Sequence, residues 1–453
     1  MKRPAPPPDP DRLIQDAFRS DPTELAKILQ IPGAGPADPY LPWDKIRHKT
    51  PPEGLTHEEW WTGIKFTRRQ MQRVLPLTDT HGKPFTFALP DVVLAALEQV
   101  SRDASGRISA EDQVTSQVTN QATRDRYLIS SLIEEAINSS QLEGASTTRR
   151  VAKEMLRAGR APRTRDERMI FNNFQAMRMI GELRDEPLTP QLICEIHRIV
   201  TDGTLDNPAS AGRFQLPGEE RIGVFTDDGL LLHTPPPAAS LPERSDRLCR
   251  FANGRLGDGY VPPVLRAITL HFMIGYDHPF EDGNGRTARA LFYWSMLNQG
   301  YWLTEFVAVS PILKNAPVKY AHGYLHTEDD ENDLTYFHLH QLDVLQRSIA
   351  RLHAYLERKT REMRDLQRRL SSATASFNHR QTALLEAALK NPDAGFTLRS
   401  HMSSHGIVYE TARQDLLALE DHGLLVKHRS GRAFVWTPAP DIDSRIHDLV
   451  ELQ

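Results

Sequence analysis

Residues 278–289 read His-Pro-Phe-Glu-Asp-Gly-Asn-Gly-Arg-Thr-Ala-Arg and run directly into an apolar stretch, Ala290–Leu297. A histidine and a carboxylate share a tight turn, two glycines permit close backbone approach, and a helix begins. Backbone donors at a helix start, reinforced by the helix dipole, make an anion site, and phosphate is the obvious anion. Arg286 and Arg289 stand three apart on the first helical face, which predicts that both forks meet one ligand and hold successive phosphate groups. Asp282, inside that cluster, reads as a holder of Mg²⁺, because Mg²⁺ in nucleotide sites takes one or two carboxylates plus phosphate oxygens. His278 has a side chain whose ordinary pKa lies near neutrality, which suits it to take a proton from an attacking hydroxyl.

The elements around that segment are mostly helical. Leu128, Leu132, Ile133, Ile137 and Leu142 form a stripe of helical period that stops at Gly144. Further helices are expected at Glu167–Arg184, Thr189–Thr201, Leu241–Leu256 and Val264–Tyr276. Between them Arg221–Thr234 carries two short apolar runs around Asp228-Gly229, a hairpin signal. The first 60 residues are proline-rich, with Pro32, Pro36, Pro39, Pro42, Pro51 and Pro52 in one stretch, which predicts an extended arm or capping segment. A basic helix at Phe66–Val74, a hairpin around Thr80–Lys83 and a helix opening at Asp91 follow. The Gln341–Leu370 helix alternates apolar spacings of three and four. Beyond it, helices at His379–Lys390, Leu398–His405 and Tyr409–His422 and strands at Leu424–His428 and Ala433–Thr437 describe a winged helix-turn-helix. The expected fold class is therefore mainly α with one small β-hairpin and a C-terminal winged helix. The expected division is 1–110 as arm and capping segment, 111–345 as the chemical domain, 346–375 as a connecting helix and 376–453 as the winged helix.

Composition bounds the function. The chain has 453 residues, with 55 Lys and Arg against 59 Asp and Glu, a net charge of −4. This argues against a protein whose whole surface is a nucleic-acid footprint. At 39% hydrophobic and 25% charged residues the composition is that of a globular protein with ample core. Cys194 and Cys249 are the two cysteines, too few for a disulfide framework or a cysteine-rich zinc site. The N-terminus places proline where a signal peptide needs apolar residues, and no run approaches the ~18 residues of a membrane span. The expectation is a cytoplasmic protein with no membrane partner.

The 278–289 segment resembles the Fic family, whose signature H-x-F-x-[D/E]-G-N-G-R-x-x-R is filled by His278, Phe280, Asp282, Gly283, Asn284, Gly285, Arg286 and Arg289. The resemblance spans roughly Arg124 to Leu345. It implies an all-α Fic core that takes ATP with Mg²⁺ and transfers AMP to a protein side-chain hydroxyl. His278 would be the general base and Asp282 the metal ligand. Gly283, Asn284 and Gly285 would be the anion cradle, Arg286 and Arg289 would hold the outer phosphates, and Phe280 would pack beneath the loop. Ser139, Glu143 and Gly144 are similar to the family's inhibitory motif [S/T]-x-x-x-E-[G/N], which implies a brake in which Glu143 pairs with Arg289. The hairpin at 221–234 followed by Pro235-Pro236-Pro237 resembles the family's flap, with Ile222 as the clamp on the target. Tyr320 and Asn332–Thr335 also resemble family positions, Tyr320 as a boundary of the adenine side. Implied partners are a target protein offering a Ser, Thr or Tyr hydroxyl, the protein itself through self-modification, and a second copy as a homodimer. For the winged helix, Tyr409, Thr411, Arg413 and Gln414 on the third helix and Lys427, His428, Arg429 and Arg432 on the wing would meet DNA. Glu410, Asp415, Glu420 and Asp421 dilute that positive field, which favours a dimerisation or protein-docking role for the module over DNA. Three other readings stand beside AMP transfer: removal of AMP with Glu143 orienting a water, transfer of another phosphate-containing group such as UMP or phosphocholine, and a DNA-binding regulator whose Fic core only senses nucleotide.

Overall fold

The computed structural model describes residues 2–20, 26–28, 31, 35–104, 121–226, 229–257, 259–373, 377–390, 394–430, 433–442 and 444–446. Pro32, Asp228, Gly431 and Arg432 lie outside the described residues. Two compact units divide the chain, Met1–His353 and Ala354–Gln453.

The first unit is built on the Pro263–Asp277 and Asn284–Asn298 helices, joined by residues 278–283. Both are apolar around most of their circumference, as a helix enclosed on all sides must be. Leu265, Ile268, Leu270, Phe272, Leu291, Trp294 and Met296 are fully buried. The Gln121–Leu142, Arg165–Glu182, Pro190–Thr201 and Leu241–Ala252 helices complete the helical body. Their starts are legible in sequence. Thr164 accepts a hydrogen bond from Glu167 N, and Thr189 from Leu192 N with Pro190 at the first helical position.

The N-terminal third contains the hairpin and the helix opening at Asp91 that the sequence predicts, and differs in the bounds of the basic helix. The basic helix runs over His57–Met71, and Arg73–Thr78 is a strand (β1), antiparallel to Pro84–Phe87 (β2). Leu75 and Leu77 alternate into the core with a period of two, which a helix through Val74 would have broken. Phe85 and Phe87 belong to the same core as the central helices, and Phe85 stands edge-on to Phe272 at 5.5 Å and Tyr276 at 5.1 Å. The Asp91–Ala104 helix also packs there through Val93, Ala96 and Val100. Within the proline-rich stretch the described helix is the short Trp43–Ile46. Residues 332–335 clasp β2: Thr86 N donates to Asn332 O at 3.0 Å, and Leu334 N donates to Thr86 O at 2.8 Å. Asp333 is fully buried and accepts from Tyr40 Oη and Gln72 Nε2, both at 2.8 Å. That stretch is a structural joint.

The expected connecting helix is part of one 39-residue helix, Thr335–Ala373. In the second unit the His379–Lys390, Leu398–His405 and Tyr409–Asp421 helices precede a hairpin of Leu425–Ser430 and Ala433–Pro438. This is the element order read from the sequence. Leu385, Leu416, Leu419, Leu424 and Trp436 form its core, and Phe396 bridges Trp436 as a third strand position. Asp415 does not dilute a surface field as expected: it is buried and accepts from Asn378 Nδ2 and Arg380 Nε, both at 2.8 Å. Glu420 accepts from Trp436 Nε1 at 2.8 Å. Among the described residues no helix is long and apolar enough to cross a membrane.

If residues 73–104 are core, Phe85→Ala should destabilise the first unit by roughly 3–5 kcal/mol, read as a lowered denaturation midpoint. An unchanged midpoint would remove this segment from the core.

Candidate active site

The 278–283 loop is held by groups behind it. His278 ends the Pro263–Asp277 helix in the left-handed region at φ 44°, with its N–H donating to Ile274 O at 3.1 Å. A non-glycine residue rarely adopts that conformation, so the surroundings must enforce it. Arg221 does part of this, donating to the carbonyls of Asp277 at 2.6 Å and His278 at 3.0 Å. Asn284 closes the loop: Phe280 N donates to its Oδ1 at 3.0 Å, and its Nδ2 donates to Phe280 O at 2.8 Å. Phe280 is fully buried, stacked on the His197 ring at 3.7 Å with 3° between planes. Gly212 N donates to His197 Nδ1 at 3.0 Å, so the proton sits on Nε2, which donates to Asp282 O at 2.8 Å.

Among the described residues these clamps leave His278 Nε2 without a hydrogen-bond partner. A carbonyl can only accept, so the 3.3 Å contact between His278 Nδ1 and Gly275 O places the ring proton on Nδ1 and the lone pair on Nε2. Burial pushes the His278 pKa down to about 4, with His233 and Arg221 adding to the fall. Burial likewise holds His197 at about 4. Both imidazoles are neutral at pH 7.

A cavity of about 230 Å³ opens beside this ring, lined by His278, Gly285, Arg289, Glu143, Tyr320 and several apolar side chains that include Tyr324 and Leu325. The first backbone bond of the following helix runs from Thr287 N to Gly283 O at 3.0 Å. The amides of Asn284, Gly285 and Arg286 come before it, and a helix has no carbonyls of its own to satisfy them. Arg289 is 2% exposed, with Nε on Ser139 Oγ at 2.8 Å and Nη2 on Ser139 O at 3.0 Å and on Glu143 Oε1 at 2.7 Å. Glu143 lies so close to Gly285 that a Cβ there would overlap its carboxylate.

Residues 187–296 match the Fic/DOC family. The chain carries a Fic domain. A protein adenylyltransferase Fic from Nematostella vectensis is 30% identical over 118 residues, covering 26% of this chain and 25% of that protein. Its counterpart in Drosophila melanogaster is 32% identical over 114 residues, 25% of this chain and 21% of that one. The matched region is thus about a quarter or less of those relatives' length. Among solved structures, a Fic family protein from Desulfovibrio desulfuricans G20 aligns at 17% identity and a TM-score of 0.49, covering 76% of this chain and 96% of that one. Fic-1 from C. elegans aligns at 18% and 0.46, covering 68% and 80%. The Fic match contains His278 through Arg289; Ser139–Gly144 and Tyr320 lie outside it.

The Fic loop brings most of the expected residues together and separates one pair. Arg286 does not line the cavity beside Arg289. Its Nη1 donates to Val200 O at 2.8 Å, its Nη2 reaches Asp282 Oδ2 at 3.4 Å, and burial lowers its pKa. Three residues along a helix is about 300° of rotation, close enough to share a ligand only when no neighbouring helix captures one fork, and here the Pro190–Thr201 helix does. Asn284 spends its side chain on the loop, leaving its backbone amide toward the helix start. Asp282 is 46% exposed, its Oδ1 accepting from Gly283 N at 2.5 Å. Among the described residues no three His, Cys, Asp or Glu side chains form a metal cluster. A single carboxylate suits an ion whose other ligands are phosphate oxygens and water. Tyr320 is in the cavity wall, hydrogen-bonded to His271 Nε2 at 2.7 Å. Ile222 is 39% exposed just before the short hairpin Val224–Phe225 and Leu231–His233 (β3 and β4), so it is not a core residue.

Four supporting residues escaped the sequence reading: His197, Arg221, His233 and Glu328. His233 donates from Nδ1 to Glu328 Oε2 and from Nε2 to Tyr276 O, both at 2.7 Å. Burial opposes charge there, but the two acceptors prevail and raise its pKa. His197 did leave a signal, since it interrupts the buried stripe of Ile193, Ile196 and Val200.

The depressed histidines set a sign. An unfolded imidazole takes a proton near pH 6.5, whereas His197 and His278 wait until about 4. Between those values the unfolded chain binds more protons, so stability should fall as pH is lowered through that window. A ring-carbon NMR titration should show the His278 midpoint near 4; a midpoint at 6.5 would remove the free-base assignment at low pH.

Proposed function

We propose that this Fic domain transfers AMP from ATP to a hydroxyl side chain of a protein. The observation that carries the reading is one cavity containing an unprotonated Nε2 on His278, an arginine at Arg289 and a helix N-terminus at Asn284 and Gly285. The hydroxyl oxygen attacks the α-phosphorus, its proton passes to His278 Nε2, and the bond to the bridging oxygen breaks so that pyrophosphate leaves. The amides of Asn284, Gly285 and Arg286 face the departing charge, and Arg289 is the fork available to the outer phosphates. Arg286 acts from behind, holding Asp282 and the backbone of Val200. Asp282 would hold Mg²⁺, which neutralises phosphate charge when bound. Ile222 and the adjoining strands offer a target segment main-chain pairing, which places its hydroxyl while leaving side-chain choice loose.

Glu143 is the brake in this reading. It meets Arg289 and crowds Gly285, so a terminal phosphate and Glu143 compete for one place. Nucleotide binding then requires the minor state in which the pair is open, and apparent affinity falls with that fraction. The pair is partly desolvated, with Arg289 buried and the Glu143 side chain 26% exposed, which makes it more than a screened surface contact. The regulator reading receives less support, because Arg413 on the third helix of the C-terminal unit is paired with Glu410 at 3.1 Å.

Intact-mass measurement after incubation with ATP and Mg²⁺ tests both parts. Glu143→Gly should gain one AMP faster than the parent, and His278→Ala should lose roughly 10²–10⁴-fold in rate, the usual contribution of a general base. Equal rates for Glu143→Gly and the parent would remove the brake, and an active His278→Ala would remove the mechanism. Loss of AMP from a supplied modified protein, dependent on Glu143, would reverse the direction.

A further inference from the structure

We infer that His197 is a positioning residue whose Nε2–H aims the Asp282 carboxylate. The proposed function enters only in saying what that carboxylate holds. His197 stands on the Pro190–Thr201 helix, outside the 278–289 segment, and is fully buried. Three contacts remove its freedom: the stack on Phe280, the Gly212 N–H on Nδ1, and the Nε2 bond to Asp282 O.

The Asp282–Gly283 peptide is trans, and in a trans peptide the carbonyl and the N–H point in opposite directions. Drawing the Asp282 carbonyl toward His197 therefore sends the Gly283 N–H away from it. On that far side Asp282 Oδ1 accepts the same N–H at 2.5 Å, so the carboxylate is fixed through its own backbone. Oδ2 then faces Arg286 at 3.4 Å. Gly283 permits the arrangement at φ 84°: a Cβ there would come within 2.6 Å of Thr201 Cγ2 and 3.4 Å of the His197 ring. The Nδ1 acceptor for Gly212 is what keeps the proton on Nε2. An Asn at this position offers an acceptor near Nδ1 but no donor near Nε2; a Gln carries its amide far enough to donate to Asp282 O.

The test uses the full chain as H197N, H197Q, H197L and, for reference, D282N. Two measurements are made: hydrogen exchange of the Gly283 amide by NMR with ¹⁵N-glycine, and Mn²⁺ binding by EPR in the presence of α,β-methylene ATP. H197N and H197L should expose the Gly283 amide and weaken Mn²⁺ by roughly tenfold or more, the usual size of an outer-shell effect on a metal. H197Q should restore both. If H197L does not fold, the H197N and H197Q pair decides. Parent-like exchange at Gly283 in folded H197N would overturn the inference, and so would lost protection with Mn²⁺ held as tightly as in the parent. If D282N also leaves Mn²⁺ unchanged, the fault lies in the metal role given to Asp282, and the Gly283 exchange still decides the positioning.

Discussion

A helix that starts inside a protein brings amide donors its own backbone cannot satisfy, and the Asn284–Asn298 helix starts there. That constraint organises the site. The donors at Asn284, Gly285 and Arg286 and the buried guanidinium of Arg289 make a concentration of positive charge that must be met by something negative. In the protein alone it is met at Arg289 by Glu143, from the end of the Gln121–Leu142 helix, with Ser139 taking the other faces of the fork. A ligand with phosphates would meet it instead. Glu143 and the proposed substrate are thus two answers to one electrostatic demand.

The loop before that helix is shaped by what grips it. Arg221 holds two carbonyls, Asn284 closes the turn on Phe280, and His197 takes the carbonyl of Asp282. The result is a non-glycine residue in a left-handed conformation whose imidazole lone pair meets no donor among the described residues. A site that must hold geometry before substrate arrives uses buried, doubly anchored side chains for this purpose. Asn284 and Arg286 belong to that group as much as to the anion site.

The N-terminal third and the 332–335 stretch form the other mechanical layer. β2 lies between residues 332–335 and the central helices, with Phe85 against Tyr276, whose carbonyl accepts from His233. His233 in turn ends β4 of the hairpin beside the cavity. A chain of packed and hydrogen-bonded groups therefore runs from the first hundred residues to that hairpin. The hairpin and helix that follow the proline-rich sequence are part of the scaffold.

The chemistry of the 278–289 segment was legible because it is local. The helix start, the glycines and the histidine lie within twelve consecutive positions, and backbone geometry alone brings them together. The helix start at Thr189 and the hairpin turn at 80–83 were legible for the same reason, although the basic helix stops at Met71, short of Val74, because the core claimed Leu75 and Leu77 for a strand. What tertiary structure decided is which way a side chain goes when two partners compete. Arg286 turns to Val200 while Arg289 turns to Glu143, Asp415 turns inward to Arg380, and His197 reaches across from another helix to a loop 85 positions away. The sequence by itself determined which groups are present and which are adjacent along the backbone. Their orientation depends on burial and on acceptors supplied by distant segments, and those exist only once the helices have packed.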